Sequence, residues 1–358
     1  MNEKLSHKKL SHGRLPEGTR ETIPAWSRRQ ALWLLAGAMG GVALHGCTKQ
    51  TQANSAGSTS APKSVSVGVV AWPGYAGHYV ALEKGFYKEQ GIDVQETFFQ
   101  DGTTQTTAFL ASKFDLSWGT SADAIQNFNR DPSIKIIKLV DYSNGADGIL
   151  GRGIKQPQDL KGKKVAREDL LFENLLLQSY LDKAGLTLAD VQLIDAPAAT
   201  AASAFVGKQV DVAITYEPYL TKSAKAGGGE VVYSTKGTNV IADVIEARDS
   251  VIASKRDAIL AYIRAVDKAV KLVNSGDQEA LAIVGKRLGA SVEETKQQLT
   301  GLKIFDIEGN KQIGFNPSAP NNLIKNLEFT NKVATQLKVI PQPLDVSKLY
   351  DDSLIKAL

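Results

Sequence analysis

The sequence predicts an α/β protein of two lobes, each built on a mainly parallel sheet, and three observations carry that expectation. Short β-branched runs alternate with helix-length stretches along most of the chain, the pattern of strand–helix–strand units. About 295 residues follow residue 63, more than one hydrophobic core usually serves. Glycine, hydroxyl, amide and aromatic residues recur at successive strand ends, where open α/β sheets place their ligands.

Residues 65–70 read as the first strand and 79–90 as an amphipathic helix ended by Gly91. Strands over 93–98 and 114–118 follow, separated by a helix over 103–112. A helix over 121–129 stops before Pro132, and strands over 134–141 and 148–151 come next. Residues 163–166 open a second series. It has a helix over about 172–184, a strand over 191–195, a helix over 200–205 and strands over 210–215, 231–234 and 242–247. From Lys255 the chain is mostly helical, with a last long helix near 321–336.

Residues 1–46 read as a signal peptide rather than as fold. A polar lead is followed by Ser27-Arg28-Arg29-Gln30, an uncharged apolar run over 31–44 and then His45-Gly46-Cys47. Basic region, short apolar core and small residue form the order of a secretory signal, and the run is shorter than the ~20 residues that span a bilayer. The paired arginines sit where a twin-arginine export signal carries them. Leu44-His45-Gly46-Cys47 resembles a bacterial lipobox, which implies lipidation of Cys47 and a cell-membrane anchor on the periplasmic side. Residues 47–63, rich in Gln, Ser, Thr, Ala and Gly, read as a flexible tether.

Setting residues 1–46 aside changes the charge argument. Seven of the 42 basic and three of the 38 acidic residues lie there, which leaves 35 of each and no net charge. Nothing in that balance points to nucleic acid. His7, His12 and His45 fall in the same segment, so His78 is the one imidazole of the body and Cys47 the one thiol of the whole chain. Zinc or iron–sulfur sites built on Cys/His spacing, disulfides and Cys–His nucleophiles are excluded on that count, no metal or other cofactor is implied, and the chain does not read as an enzyme.

Six strand-end segments carry the candidate site. They are Ala71-Trp72-Pro73-Gly74-Tyr75-Ala76-Gly77-His78, Gln100-Asp101-Gly102-Thr103-Thr104-Gln105, Gly119-Thr120-Ser121-Ala122-Asp123, Tyr142-Ser143-Asn144-Gly145-Ala146-Asp147, Arg167-Glu168-Asp169 and Tyr216-Glu217-Pro218-Tyr219. Glycine lets backbone approach a ligand, helix N-termini present free N–H groups, and aromatic side chains supply apolar walls. The ligand-binding candidates are Trp72, Gly74, Tyr75, His78, Gln100, Thr103, Thr104, Thr120, Ser121, Asn144, Asp147, Glu168, Glu173, Tyr216, Glu217 and Asp243, with Trp118 as a further wall. Taken singly, Thr120 is also a serviceable helix cap and Glu217-Pro218 a helix start.

Several stretches in order resemble the nitrate/sulfonate/taurine group of periplasmic solute-binding proteins. They include Trp72-Pro73-Gly74, Ala81-Leu82-Glu83-Lys84-Gly85-Phe86-Tyr87 with Gly91-Ile92-Asp93-Val94, Asp159-Leu160-Lys161-Gly162-Lys163-Lys164-Val165, and Phe205-Val206-Gly207-Lys208-Gln209-Val210-Asp211-Val212 with Glu217-Pro218. The resemblance implies a type II periplasmic-binding-protein fold, two α/β lobes joined by two crossings and closing on a ligand. The crossings are expected near 148–152 and 245–251, with residues 64–147 plus about 252–358 in lobe 1 and 148–251 in lobe 2. It further implies a monomer that delivers a small ligand to an ABC permease in the inner membrane. Nitrate, alkanesulfonates and taurine are the ligands it suggests. Glu168-Asp169 stands where sulfonate-holding members show small hydroxyl residues, which points instead to an amine or ring N–H, as in a pyrimidine-type thiamine precursor. An exported sensory domain is the remaining alternative.

Overall fold

The computed structural model describes residues 63–238 and 240–358. The expected signal peptide, Cys47 and the tether up to residue 62 lie outside the described residues. Strand β1 (Lys63–Val69) buries Val65, Val67 and Val69 and pairs in parallel with β2 (Ile92–Phe98) and β3 (Leu116–Thr120). Between them run α1 (Ala76–Glu83), α2 (Phe86–Glu89) and α3 (Gly102–Leu110). The single helix expected over 79–90 is broken at Gly85, whose φ of 72° ends one helix and starts the next. Helix α4 (Ser121–Arg130) leads into β4 (Ile134–Ser143).

The chain then enters a second sheet. It comprises β5 (Asp147–Gly151), β6 (Lys164–Arg167), β7 (Gln192–Asp195), β8 (Val212–Tyr216) and β9 (Glu230–Ser234), with α5 (Leu171–Leu181), α6 (Ala198–Val206) and α7 (Tyr219–Gly227) between strands. Strand β10 (Ala242–Arg248) returns to the first sheet. The remainder is α8 (Asp249–Asn274), α9 (Gln278–Leu288), α10 (Val292–Leu299), the short strand β11 (Leu302–Ile304), α11 (Ile307–Gly309), α12 (Leu323–Gln336) and α13 (Ser353–Lys356). No helix among the described residues is long and apolar enough to cross a membrane.

The first sheet has the order β11-β4-β10-β3-β1-β2 and the second β7-β6-β8-β5-β9. Both are mixed rather than purely parallel. Strand β10 runs antiparallel to β3 and β4, and β5 antiparallel to β8 and β9, because these are the strands that carry the chain across between lobes. The crossings therefore lie at residues 144–146 and 235–241, ahead of the positions expected from the sequence. Residues 148–152 begin inside β5, and 245–251 begin inside β10, which belongs with the first lobe.

The two crossings are tied to each other. The Ser143 and Thr235 hydroxyls lie 2.7 Å apart, Gly145 N donates to Thr235 Oγ1 at 2.8 Å, and Gly237 N donates to Asn144 Oδ1 at 2.7 Å. Bonds of this kind couple the two hinge segments to each other.

The first lobe is stiffened by α1 lying close against α8. A side chain at Gly77 would bring Cβ to 2.6 Å from Val270 Cγ2 and 3.2 Å from Val266 Cγ1. Gly77→Leu is expected to destabilise the protein by about 1–3 kcal/mol through overpacking. At about 2–4 °C per kcal/mol for a body of this size, scanning calorimetry reads this as a lowered melting temperature.

Candidate ligand-binding cleft

The cleft lies between the lobes, at the ends of β1, β3, β4, β8 and β10. About 540 Å³ of empty space, counted out to its mouth, is lined by Trp72, Tyr75, Trp118, Phe172 and Tyr216, and by Asp123, Asp147, Asp243 and Glu246. Gln105, Ser117 and Thr120 add polar atoms. The lining residues include no Lys, Arg or His.

The aromatic wall is held by polar tips. Trp72 Nε1 donates to Asp141 Oδ2 at 3.1 Å, and the Tyr75 hydroxyl donates to Asp243 Oδ1 at 2.9 Å. Trp72 meets Tyr216 of the opposite lobe edge to face, with centroids 5.8 Å apart. Gly74 is required by close approach, because a Cβ there would overlap the Asp141 carboxylate and the Trp72 indole. Trp118 Nε1 donates to the Tyr262 hydroxyl at 2.9 Å, which fixes the back of the wall.

Two bulges on β4 lie beside the acids of β10. The β4–β10 register shifts between Asp243 and Val244 and again between Ile245 and Glu246. The extra residues are Val140 and Ile137 of β4, while β10 pairs with β3 without a shift, and both Asp243 and Glu246 line the cleft. Asp123 caps α4 through Thr120 N (3.0 Å) and Thr120 Oγ1 (2.7 Å), while Asn127 Nδ2 donates to Glu246 Oε2 at 3.1 Å.

Burial and mutual repulsion push these carboxyls toward the protonated form. Burial raises Asp147 to about 7 and Glu246 to about 8, with Glu217 and Asp123 respectively adding to the rise. Asp243 is raised well above the carboxylate range by burial and then by Asp141 and Asp147, and Asp141 is raised by burial and by Asp147. Asp141 Oδ1 and Asp147 Oδ2 are buried without a hydrogen-bond partner among the described residues. Acceptors of this kind, gathered beside a lining that holds no basic side chain, offer sites for N–H donors or positive charge.

Of the candidates read from the sequence, Trp72, Tyr75, Thr120, Asp147, Tyr216 and Asp243 line the cleft and Gly74 underlies it. The others stand elsewhere. His78 is fully buried, with Nδ1 2.7 Å from the Tyr87 hydroxyl and 2.9 Å from that of Tyr262, and Nε2 3.1 Å from Glu96 Oε2. Burial lowers its pKa, so it braces the Tyr262–Trp118 pair as a neutral ring. Gln100 is exposed, Thr104 bonds to Asp101, and Ser121 is the first residue of α4. Asn144 is a hinge residue, and Glu217 caps α7 through Thr221. Glu173 Oε2 accepts from Glu168 N at 2.8 Å, and Glu168 itself bonds to Thr103. Arg167, in the same strand-end segment, sits 3.0 Å from Asp169 and 3.8 Å from Asp195.

Sequence reasoning missed Gln105, Ser117, Asp141, Phe172 and Glu246. Gln105 Nε2 donates to Gly68 O and Trp118 O at 2.9 and 2.7 Å, joining β1 to β3 beneath the cleft. The available signal was Asp141 and Glu246, acids inside apolar strand segments that have no reason to be there unless something pairs with them.

Two α/β lobes, two bonded hinges and an aromatic–acidic cleft between them define a periplasmic-type binding-protein fold. The chain belongs to the NMT1/THI5 like family, whose model matches residues 72–280. It is 27% identical over 213 residues to a protein of Brucella abortus named only as a binding protein, a match spanning 58% of this chain and 66% of that protein's length. It is 25% identical over 285 residues to a Bacillus subtilis protein named for aliphatic sulfonates, covering 77% of this chain and 83% of the relative. A formylaminopyrimidine-binding protein of Halalkalibacterium halodurans matches at 23% over 242 residues, 65% of this chain and 73% of its own. Among solved structures, the alkanesulfonate-binding protein SsuA from Xanthomonas axonopodis bound to MOPS superposes with a TM-score of 0.69 at 14% identity, over 82% of this chain and all of that one. The desulfurization enzyme DSZB shares the fold too, with a TM-score of 0.61, 14% identity and coverage of 82% of this chain and 98% of its own.

The carboxyl shifts set a pH dependence. A carboxyl raised by folding is favoured in its protonated form, so its contribution is present at low pH and lost as pH rises from about 4 to its folded pKa. For Asp147 that upper limit is about 7 and for Glu246 about 8. The ligand-free protein is expected to melt several degrees higher at pH 5.5 than at pH 8. In Asp243→Asn the gap should narrow, as read by melting temperature across that range.

Proposed function

We propose that this chain is the extracytoplasmic capture component of an ABC importer, closing on a small flat compound that carries amine or ring N–H donors, of the aminopyrimidine class. The observation that carries the reading is the acidic cleft: Asp123, Asp147, Asp243 and Glu246 on the walls, Asp141 behind Trp72, and no basic side chain among the lining residues. Aromatic faces at Trp72, Tyr75, Trp118, Phe172 and Tyr216 stack a ring, and the carboxylates take its N–H groups. The pyrimidine named for the Halalkalibacterium relative has this chemistry.

Alkanesulfonates have the Bacillus and Xanthomonas names behind them. A sulfonate would meet ionised carboxylates at close range, where two like charges 4 Å apart repel by about 4 kcal/mol near a protein surface. Taurine would place its ammonium on the acids but leave its sulfonate short of donors, since Gln105 is already committed to backbone carbonyls. Closure excludes water around the ligand, and the closed lobes are the form a permease recognises. A lipid on Cys47 would hold that form at the membrane, and a monomer suffices for the task.

Thermal shift and titration calorimetry with aminopyrimidines, alkylamines, taurine, methanesulfonate and nitrate test the ligand class. Aminopyrimidines are expected to raise the melting temperature by several degrees, with affinity strengthening from pH 5.5 to 8 as the carboxyls ionise. Stabilisation by methanesulfonate or nitrate without a response to amines would overturn the reading. Asp147→Asn and Asp243→Asn, each removing one partner of a buried charged contact, are expected to cost about 2–5 kcal/mol of binding. For the anchor, palmitate labelling in the exporting cell is expected to mark the wild-type chain and to be lost in Cys47→Ala.

A further inference from the structure

Helix α3 of the first lobe begins with its amide groups already claimed. Asp101, the N-cap, accepts from Thr104 N at 2.6 Å. The amide one residue earlier donates across the cleft: Thr103 N and Thr103 Oγ1 both reach Glu168 Oε1 at 2.9 Å. Glu168 follows β6 in the second lobe and is 2% exposed. Its other oxygen, Oε2, is buried without a hydrogen-bond partner among the described residues, and no ion pair there involves it. This carboxyl faces the N-terminus of α3 and two donors from Thr103, the surroundings that helix N-termini offer to anions, while burial and the Asp101 carboxylate push its pKa up. A Cβ at Gly102 would come within 3.1 Å of Leu170 Cδ1 and 3.8 Å of Glu168 Oε1, so the residue that starts the helix is the one that lets the opposite lobe come this near.

A second contact between lobes has the opposite sign. Lys222, on α7, donates from Nζ to Gly289 O at 2.6 Å and to Leu288 O at 3.4 Å, at the carboxyl end of α9. An acid from the second lobe meets a helix N-terminus of the first, and a base meets a helix C-terminus.

We propose that Glu168 is a specificity-determining residue: its carboxylate occupies the anion position at the α3 N-terminus, latching the lobes together and barring anionic ligand groups from that helix end. Lys222 is a latch alone. The position serves a built-in carboxylate, so a sulfonate, sulfate or nitrate finds it filled whenever the cleft is closed. Each anion's binding is measured in variant and wild type side by side. The outcome therefore stands apart from the ligand class proposed above, which is read from the wild type alone.

The test uses the full chain with Glu168→Ser, Glu168→Asp and Lys222→Ala, titrated with sodium sulfate and sodium methanesulfonate against sodium chloride of equal ionic strength. Thermal shift and calorimetry are the readouts, and Glu168→Ala replaces the serine variant if that one does not fold. Glu168→Ser is expected to bind both anions at least tenfold more tightly than wild type. Glu168→Asp, which keeps a charge beside the helix end, should respond as wild type does, and so should Lys222→Ala. Equal anion responses in Glu168→Ser and wild type would overturn the proposal. So would an equal gain in Lys222→Ala, because loosened lobes rather than a freed helix end would then explain the binding.

Discussion

Repulsion among carboxylates is the constraint on which the closed cleft depends. Burial raises the pKa of each; Asp147 adds to the rise of Asp141, both add to that of Asp243, and Asp123 adds to that of Glu246 at the other end of the same wall. The fold supplies some relief through Trp72 Nε1, the Tyr75 hydroxyl and Asn127 Nδ2, but each gives only a single donor. Lys138, the cation that bears on Asp141, donates to Leu139 O and Phe305 O instead, and burial lowers it to about 8. Protons fill the shortfall at low pH. A ligand rich in N–H groups would fill it at neutral pH and release those protons on binding.

Closure is organised by the same electrostatic logic at a larger scale. The hinges are coupled through Ser143, Asn144 and Thr235, and helix ends of the first lobe receive Glu168 and Lys222 from the second. Charges placed on helix termini are directional yet weak, each worth under about 1 kcal/mol when solvated and more when buried. A binding protein needs contacts of that scale, strong enough to define the closed form and weak enough to reopen. The aromatic contact between Trp72 and Tyr216 adds apolar area at the centre, where the ligand ring would lie.

The sequence made the strand–helix alternation legible because β-branched runs and glycine stops are local signals. It also marked Trp72, Tyr75, Thr120, Asp147 and Tyr216, since a residue just past a strand end has little choice but to approach the neighbouring loops. His78 misled for the complementary reason. It follows the first strand in sequence, but one turn of α1 carries it behind Trp118, between Tyr87 and Tyr262. Glu168, Glu173 and Glu217 read as ligand acids from their loops, and the structure spends them on Thr103, on Glu168 N and on the start of α7.

What the sequence by itself determined is the two-lobed α/β architecture, the strand-end loops as the place of the site, and the exclusion of Cys/His chemistry from the body. These follow from patterns that are local or from residues that are simply not there. Only the tertiary structure decided the sign of the cleft. Asp141 and Asp243 stand directly across the β4–β10 pair, and Asp243 and Glu246 of β10 share the cleft lining with Asp123 and Asp147. Charge is a property of where side chains converge, and residues about a hundred apart in sequence converge here through strand pairing that no local pattern encodes.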